Sequence, residues 1–572
     1  MTARFDPFGL AAPRWYAIEA RRPFLEDLAA GVLDWLGEHP PEALSDAVIL
    51  LPNRRAARAF TSALTKRAGD RPVLLPQVRP LGDLEEDEPP FAPGELGLDL
   101  PPAIAPLTRR FEMARMIVED FRPGLSPLRA LEMADALGGF LDSCQLEEVE
   151  DLARVATLVE GDLAEHWQES ARFLGLAVEA WPKRLEALGL VDPAWRRARL
   201  LRLLADAWSE RPPTQPVIAA GSTGTAPAAA DVLAAVARAP QGCVVLPGLD
   251  RDLDPAVWSQ LRDNEQHPQN ALWRLLDRHG VEREAVRPWF SPPEEPARAA
   301  RGRARQRLIN EALRPADATD DWRALIRDLR ANAFKDQSAD PIAEGLEGLS
   351  VITIRAEEDA AATLALMMRE TLETPGRTCA LVTPDLALGR RVAARLERWG
   401  VVADSSSGQP LSRMRAGRLV DLAARFLDQP LDPHALLGLL KHPLVRLDLD
   451  GVEPGTAIKA LEEHALRGPR LRDWSRARRR LLKASEPRDD GRPRSPRTVE
   501  RVAAARALLD RLERLSDAAR APFAPDAPLD AAARALTGLV EALAGAGAGG
   551  GPPGAAPPPP RAGGGGGGAE RG

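Results

Sequence analysis

Three arginines follow an apolar run and a Pro-Asn break in "AVILLPNRRAARAF", residues 47–60: Arg54, Arg55 and Arg58, with Asn53 directly ahead of them. A helix starting near Arg54 buries Ala56, Ala57, Phe60, Ala63 and Leu64 on one stripe. The three guanidiniums then lie near its N-terminal end, placed to meet phosphates. The helix dipole disfavours cations there by roughly a few tenths of a kcal/mol, which a bound anion offsets. A plain solvated face is the other reading of the same residues, and the sequence leaves both open. A second candidate is the glycine loop "GSTGT", Gly221 to Thr225, between an apolar strand and a helix. Its backbone N–H groups suit a phosphate at a helix start, and its small residues equally suit a tight strand-to-helix turn.

The chemistry expected of a nucleotide-driven motor is missing. A phosphate loop G-x-x-x-x-G-K-[ST] holds phosphates on backbone N–H groups, a lysine and a hydroxyl, but none of the lysines here (66, 183, 335, 441, 459, 483) follows a glycine. Between "WYAIEA" and "LEDLAAGVL", where such a loop belongs, stand Arg21, Arg22 and Pro23. No lysine has a glutamate two residues before it, which removes a Glu-x-Lys nuclease centre. No nucleophile elbow, His-Glu-x-x-His or triad is evident, and no two of the seven histidines stand four residues apart. Cys144, Cys243 and Cys379 belong to no C-x-x-C, so neither a disulfide framework nor a metal cluster is encoded.

The elements that must position these residues alternate. Residues 15–80 read as strand, helix, strand, helix, strand, which predicts α/β with a parallel sheet. The acidic, proline-rich "GDLEEDEPPFAPGE" that follows reads as a surface loop. Residues 1–105 form the first part of sheet domain 1, 106–210 an all-helical insertion, and 211–255 the return to that sheet. A mixed helical and loop region follows over 256–345, a second sheet domain over 346–430, and a helical region over 431–543. The Gly/Pro-rich tail, 544–572, cannot bury apolar surface and is expected to be disordered, and a chain stopping in such a tract raises the expectation of a truncated or out-of-frame end. In "PDLALGRRVAARLERWG", Leu388, Val392, Leu396 and Trp399 are the core face and Gly400 the stop. The run "RGPRLRDWSRARRRLLK", 467–483, reads either as a single-strand-binding segment or as an exposed amphipathic helix.

At 572 residues the chain needs more than one core. A net charge of -7 argues against a general nucleic-acid-coating protein while leaving room for a local basic groove. There is no unbroken apolar run of membrane-span length and no export signal at the N-terminus, so the expected setting is cytoplasmic.

The stretch "VILLPNRRAARAF" resembles the strand and helix start after the first loop of superfamily 1 helicases, where a Thr-Asn-Lys-Ala-Ala type motif contacts the DNA backbone. With "LLPQVRPLGDLEEDE", "PVIAAGSTGTAPAAADVLAAVARAPQGCVVLPGLD", "ALVTPDLALGRRVAARLERWGV" and "LLGLLKHPLV", the chain resembles AddB subunits of AddAB helicase-nucleases, of the alphaproteobacterial type, over about residues 15–445. The resemblance implies two helicase-like (RecA-like) parallel-sheet domains with helical insertions, the ATP site degenerate. It further implies a role in DNA double-strand break repair, with DNA ends or single strand and an AddA-type motor and nuclease subunit as partners. Asn53, Arg54, Arg55 and Arg58 fall on the family's DNA-contacting motif, and Gly221, Ser222, Thr223 and Gly224 on a vestigial nucleotide-sensing turn. The family's C-terminal nuclease domain, with its iron-sulfur cluster and magnesium sites, has no counterpart in this sequence, so no cofactor is expected. The competing expectation is a small-molecule α/β enzyme holding a phosphorylated substrate at the GSTGT loop.

Overall fold

The computed structural model describes residues 5–37, 42–70, 72–81, 100–149, 172–318, 321–333, 340–406, 408–447, 449, 453–487, 492–523 and 528–545. The acidic loop and nearly all of the Gly/Pro-rich tail therefore lie outside the described residues.

Short apolar runs become strands β1 (Trp15–Ile18), β2 (Val48–Leu51), β4 (Val217–Ala220) and β5 (Gly242–Pro247), joined by the more polar β3 (Gln77–Pro80) and β6 (Arg287–Pro288). They form one parallel sheet in the order β3-β2-β4-β5-β1-β6. Every residue of β1, β2 and β4 is buried, as a parallel sheet covered on both faces requires. Helices α1 (Phe24–Leu36), α2 (Glu42–Ser45) and α3 (Arg54–Ala68) belong to the first half of the sheet. Leu28 and Val32 of α1 and Phe60 and Leu64 of α3 pack on one face with Ile18, Ile49 and Val245.

Between β3 and β4 the described residues form helices α4 (Pro106–Met116), α5 (Pro127–Leu146), α6 (Trp181–Leu188) and α7 (Pro193–Glu210). Proline opens many of the helices because the first helical N–H has no intrahelical partner and the ring's fixed φ suits the turn. The excursion is pinned by buried Asp192, which accepts from Arg109 Nε at 2.8 Å, Gln145 Nε2 at 2.8 Å and Trp181 Nε1 at 2.9 Å. One carboxylate thus joins α4, α5, α6 and the start of α7. The chain then returns through β4, α8 (Pro227–Arg238) and β5, then α9 (Pro255–Gln260), α10 (Asn270–Arg278) and β6. Leu233 and Val236 of α8 and Leu272 and Leu276 of α10 cover the opposite face with Ala17, Ala219 and Val244. Helices α11 (Pro296–Ala312), α12 (Trp322–Ala333) and α13 (Pro341–Leu346) complete this unit.

The chain divides between Val351 and Ile352. In the second unit, α14 (Glu357–Leu372) and α15 (Leu386–Glu397) share a small core of Ala361, Ala365, Val392 and Leu396. Six further helices enclose a larger core built on Phe426, Leu436, Leu461, Leu508 and Leu512: α16 (Arg415–Asp428), α17 (Pro433–Leu440), α18 (Pro454–Leu461), α19 (Trp474–Ser485), α20 (Pro496–Arg520) and α21 (Leu529–Ala544).

The second sheet expected over 346–430 is not formed among the described residues. The apolar segments 351–354, 379–383 and 401–403 precede or follow α14 and α15 in the βαβ rhythm, yet none has a paired strand. Leu381 and Val401 pack on the α14–α15 core, whereas Val351, Val382 and Val402 are 87%, 93% and 90% exposed. A strand is fixed by main-chain partners and by burial of its outer face, and these segments have neither. Trp399, expected in the core face of α15, is instead exposed, with the Arg369 guanidinium 5.0 Å from its ring centre. Gly400, at φ 76°, ends the helix as expected.

Candidate functional site

Parallel pairing of β2 and β4, with Val48 opposite Val217 and Leu50 opposite Ala219, makes the two chains leave the sheet side by side. The exits are Pro52–Asn53 and Gly221–Ser222, so both stretches singled out in the sequence meet at the carboxyl edge of the sheet. A Cβ on Gly221 would lie 3.2 Å from the Phe24 ring and 3.4 Å from the Pro52 ring, which shows how closely the start of α1 and the two exits converge. The two exits also turn to opposite faces, β2 toward α3 and β4 toward α8, and such a reversal opens a crevice at a sheet edge.

Asn53 is the N-cap of α3. Its backbone is extended, and its Oδ1 accepts from the Ala56 N–H at 2.9 Å. Arg54 is half-buried, and Arg55 and Arg58 are exposed on the first turns of the helix. No acidic residue stands in that first turn, and the dipole of α3 is positive at that end. Phe60 and Leu64 are buried and Ala56, Ala57 and Ala63 pack beside them, so the expected stripe is the one that turns the arginines outward.

The glycine turn is closed upon itself. Gly221 and Gly224 have φ of 78° and 62°, conformations that favour glycine, and a Cβ on Gly224 would come 2.7 Å from Leu275 Cδ1. Ser222 Oγ accepts from the Gly224 N–H at 3.2 Å, and the Thr223 and Thr225 hydroxyls bond each other at 2.9 Å. The loop's small residues thus serve a tight turn, with one of its N–H groups already engaged by its own serine.

The turn from β1 to α1 is filled by charge. The Arg22 N–H donates to Glu19 O at 3.0 Å, and its guanidinium reaches buried Asp27 at 2.6 and 3.0 Å and the Pro292 carbonyl at 3.0 Å. Arg21 donates to Glu294, whose carboxylate also lies 3.4 Å from Arg22. The Asp27 hydrogen bond outweighs desolvation and holds the Arg22 pKa above its usual value. Burial alone would raise Glu294, but the guanidiniums of Arg21 and Arg22 overcome it and hold the carboxyl below its usual value. Glu26 and Asp27 already meet the positive end of α1. A triphosphate would face two carboxylates and no lysine here, so the residues present do not fit one. Sequence reasoning missed this network, because Arg21 and Glu294 are 273 residues apart.

The basic run 467–483 folds into α19 and its approach. Ala477 and Leu481 are buried, and Trp474 packs against the helical core instead of offering a stacking face. Arg478 pairs with Asp510 and Glu513, and Arg480 donates to the carbonyls of Ala465 and Pro469 at 2.7 Å each. The amphipathic-helix reading is the one the packing supports.

Cys144 is half-buried in α5, Cys243 buried in β5 and Cys379 exposed between α14 and α15. Among the described residues no group of three His, Cys, Asp or Glu side chains could hold a metal, and the cysteines do not fit an iron-sulfur cluster. No helix among the described residues is long and apolar enough to cross a membrane. The chain matches no protein-family pattern, and no curated protein matches it.

Proposed function

We propose that this chain is a DNA-binding, non-hydrolysing subunit of a double-strand break end-processing complex, with the strand end Asn53–Arg58 as its contact to the DNA backbone. The observation that carries the reading is the sheet edge: an arginine-bearing helix start beside a glycine turn, next to a β1–α1 turn whose phosphate position is filled by Arg22, Asp27 and Glu294. The parallel sheet interrupted by helices supports a helicase-like ancestry for the first unit, and the likeness to AddB subunits supports an AddA-type partner that supplies the motor. In this reading Asn53 holds the helix start, and Arg54, Arg55 and Arg58 neutralise phosphates.

Binding to single-stranded or end-bearing DNA, measured by anisotropy across a salt series, tests it. Arg54→Ala/Arg55→Ala/Arg58→Ala is expected to weaken binding. On single strands it should also reduce the slope of log K against log salt by about 0.7 for each phosphate no longer neutralised. Unchanged affinity and slope remove the site assignment. ATP turnover by the isolated chain at a rate above background would refute the non-hydrolysing reading.

A further inference from the structure

A cavity of about 500 Å³ lies at the carboxyl ends of β1 and β5, floored by Ala20, Gly248 and Asp250 and walled by one face of α11. The size is that of a small-molecule site. The exits of β1 and β5 run to opposite faces of the sheet, β1 to α1 and β5 toward α10, so the cavity sits at a reversal of the chain's course, where α/β sheets take ligands.

The α11 residues that face it recur at helical spacing and change in character along the helix. Arg298, Arg301 and Arg305 lie at one end, and Ile309 and Leu313 at the other. Arg305 is fixed by neutral acceptors, its Nε donating to the Gly345 carbonyl at 2.9 Å and its other arm to the Glu347 carbonyl. Its charge therefore has no carboxylate among those bonds. Arg298 stands 3.5 Å from Glu294 and Arg301 2.7 Å from Glu347, both with further donors in their forks. Ile309 and Leu313 leave apolar surface exposed at the far end.

His267, only 8% exposed, also lines the cavity. Its Nδ1 accepts from the Gln269 N–H at 3.1 Å, which assigns the proton of the neutral ring to Nε2. That Nε2 is buried with no hydrogen-bond partner among the described residues. The loop holding it is braced, because Gln269 accepts from the Asp250 N–H at 3.0 Å and donates to the Gly248 carbonyl at 2.9 Å.

We propose that this cavity binds a small organic anion: a phosphate or carboxylate head against Arg298, Arg301 and Arg305, and an apolar body along Ile309 and Leu313. Arg21 and Glu294 of the closed β1–α1 turn also line the cavity, Glu294 being already paired with Arg21 and Arg22, and the cations offered to a ligand are those of α11, a helix beyond β6. The site is independent of the DNA contact at Arg54–Arg58.

Calorimetric titration of the full chain tests it with four probes: uridine monophosphate, p-hydroxybenzoate, inorganic phosphate and uridine. At least one of the two headed organic probes is expected to bind with a Kd below about 1 mM, and about tenfold or more tighter than inorganic phosphate or uridine. Which of the two binds tells a phosphate head from a carboxylate head. Arg298→Ala/Arg301→Ala, at exposed positions, is expected to weaken that probe about tenfold or more, with the melting midpoint of the free protein unchanged. Ile309→Asp, also exposed, does the same through the apolar end. No saturable binding of either headed probe, binding of inorganic phosphate as tight as theirs, or unaltered binding by the double variant would each overturn the proposal.

Discussion

Arg22 and Asp27 are both nearly enclosed, with side chains 10% and 3% exposed, so each depends on the other to be buried. Asp27→Ala is expected to cost about 3 kcal/mol by removing the two-pronged partner of a buried guanidinium, which keeps Glu294 at 3.4 Å and the Pro292 carbonyl, while Arg22→Met/Asp27→Leu recovers most of it, as read from denaturant unfolding. His279 makes a second residue-scale prediction. Burial, helped by Arg238 and Arg278, lowers its pKa, so the unfolded chain takes up its proton at a higher pH than the folded one. The stability it contributes is present above the unfolded value near 6.5 and is lost as pH falls below it. The melting midpoint is expected to drop between about pH 7 and 5, and His279→Gln to flatten that drop; an identical pH profile in the variant would count against it. The stripe of α3 was legible in the sequence because Ala56, Phe60 and Leu64 recur at helical spacing. The Glu294 partner of Arg21 and Arg22 was not, since an ion pair closed from 273 residues away leaves no local period. The arginines of α11 do carry such a period, at 298, 301 and 305, but only the cavity they line gives it meaning.

Among elements, β1, β2, β4 and β5 could be read from their apolar runs because a buried parallel strand needs little else. The two-residue β6 could not, since "RP" carries no strand pattern and is held by pairing with β1 and by Trp289, whose indole donates to Asp27 O at 3.1 Å. The segments around Val351, Val382 and Val402 teach the reverse: an apolar, β-branched pattern specifies a strand only where neighbours exist to pair with it. Val351→Thr/Val382→Thr/Val402→Thr is expected to leave stability within about 0.5 kcal/mol per site, because nothing is unburied by the change. The same variant should lower concentration-dependent light scattering, since unpaired apolar segments template self-association. A large loss of stability in the triple variant would mean that these side chains are covered in solution.

At the scale of the molecule, each unit owns its cores: the two faces of the sheet and the helical excursion within residues 1–351, the α14–α15 and α16–α21 cores beyond. Two calorimetric transitions are expected, and a chain ending at Val351 should keep one of them at its original temperature. A single transition lost altogether on cutting would show the units to be interdependent. The closed turn between β1 and α1 reaches beyond thermodynamics. Trading Arg22 for a glycine strands Asp27, trading Asp27 leaves Arg22 with Glu294 and the Pro292 carbonyl, and removing Glu294 takes a shared carboxylate from Arg21 and Arg22. Every single step toward a phosphate-binding loop passes through a less stable protein. Selection acting one mutation at a time is held on the near side of that valley, so this turn is expected to stay closed unless several of its charges change together.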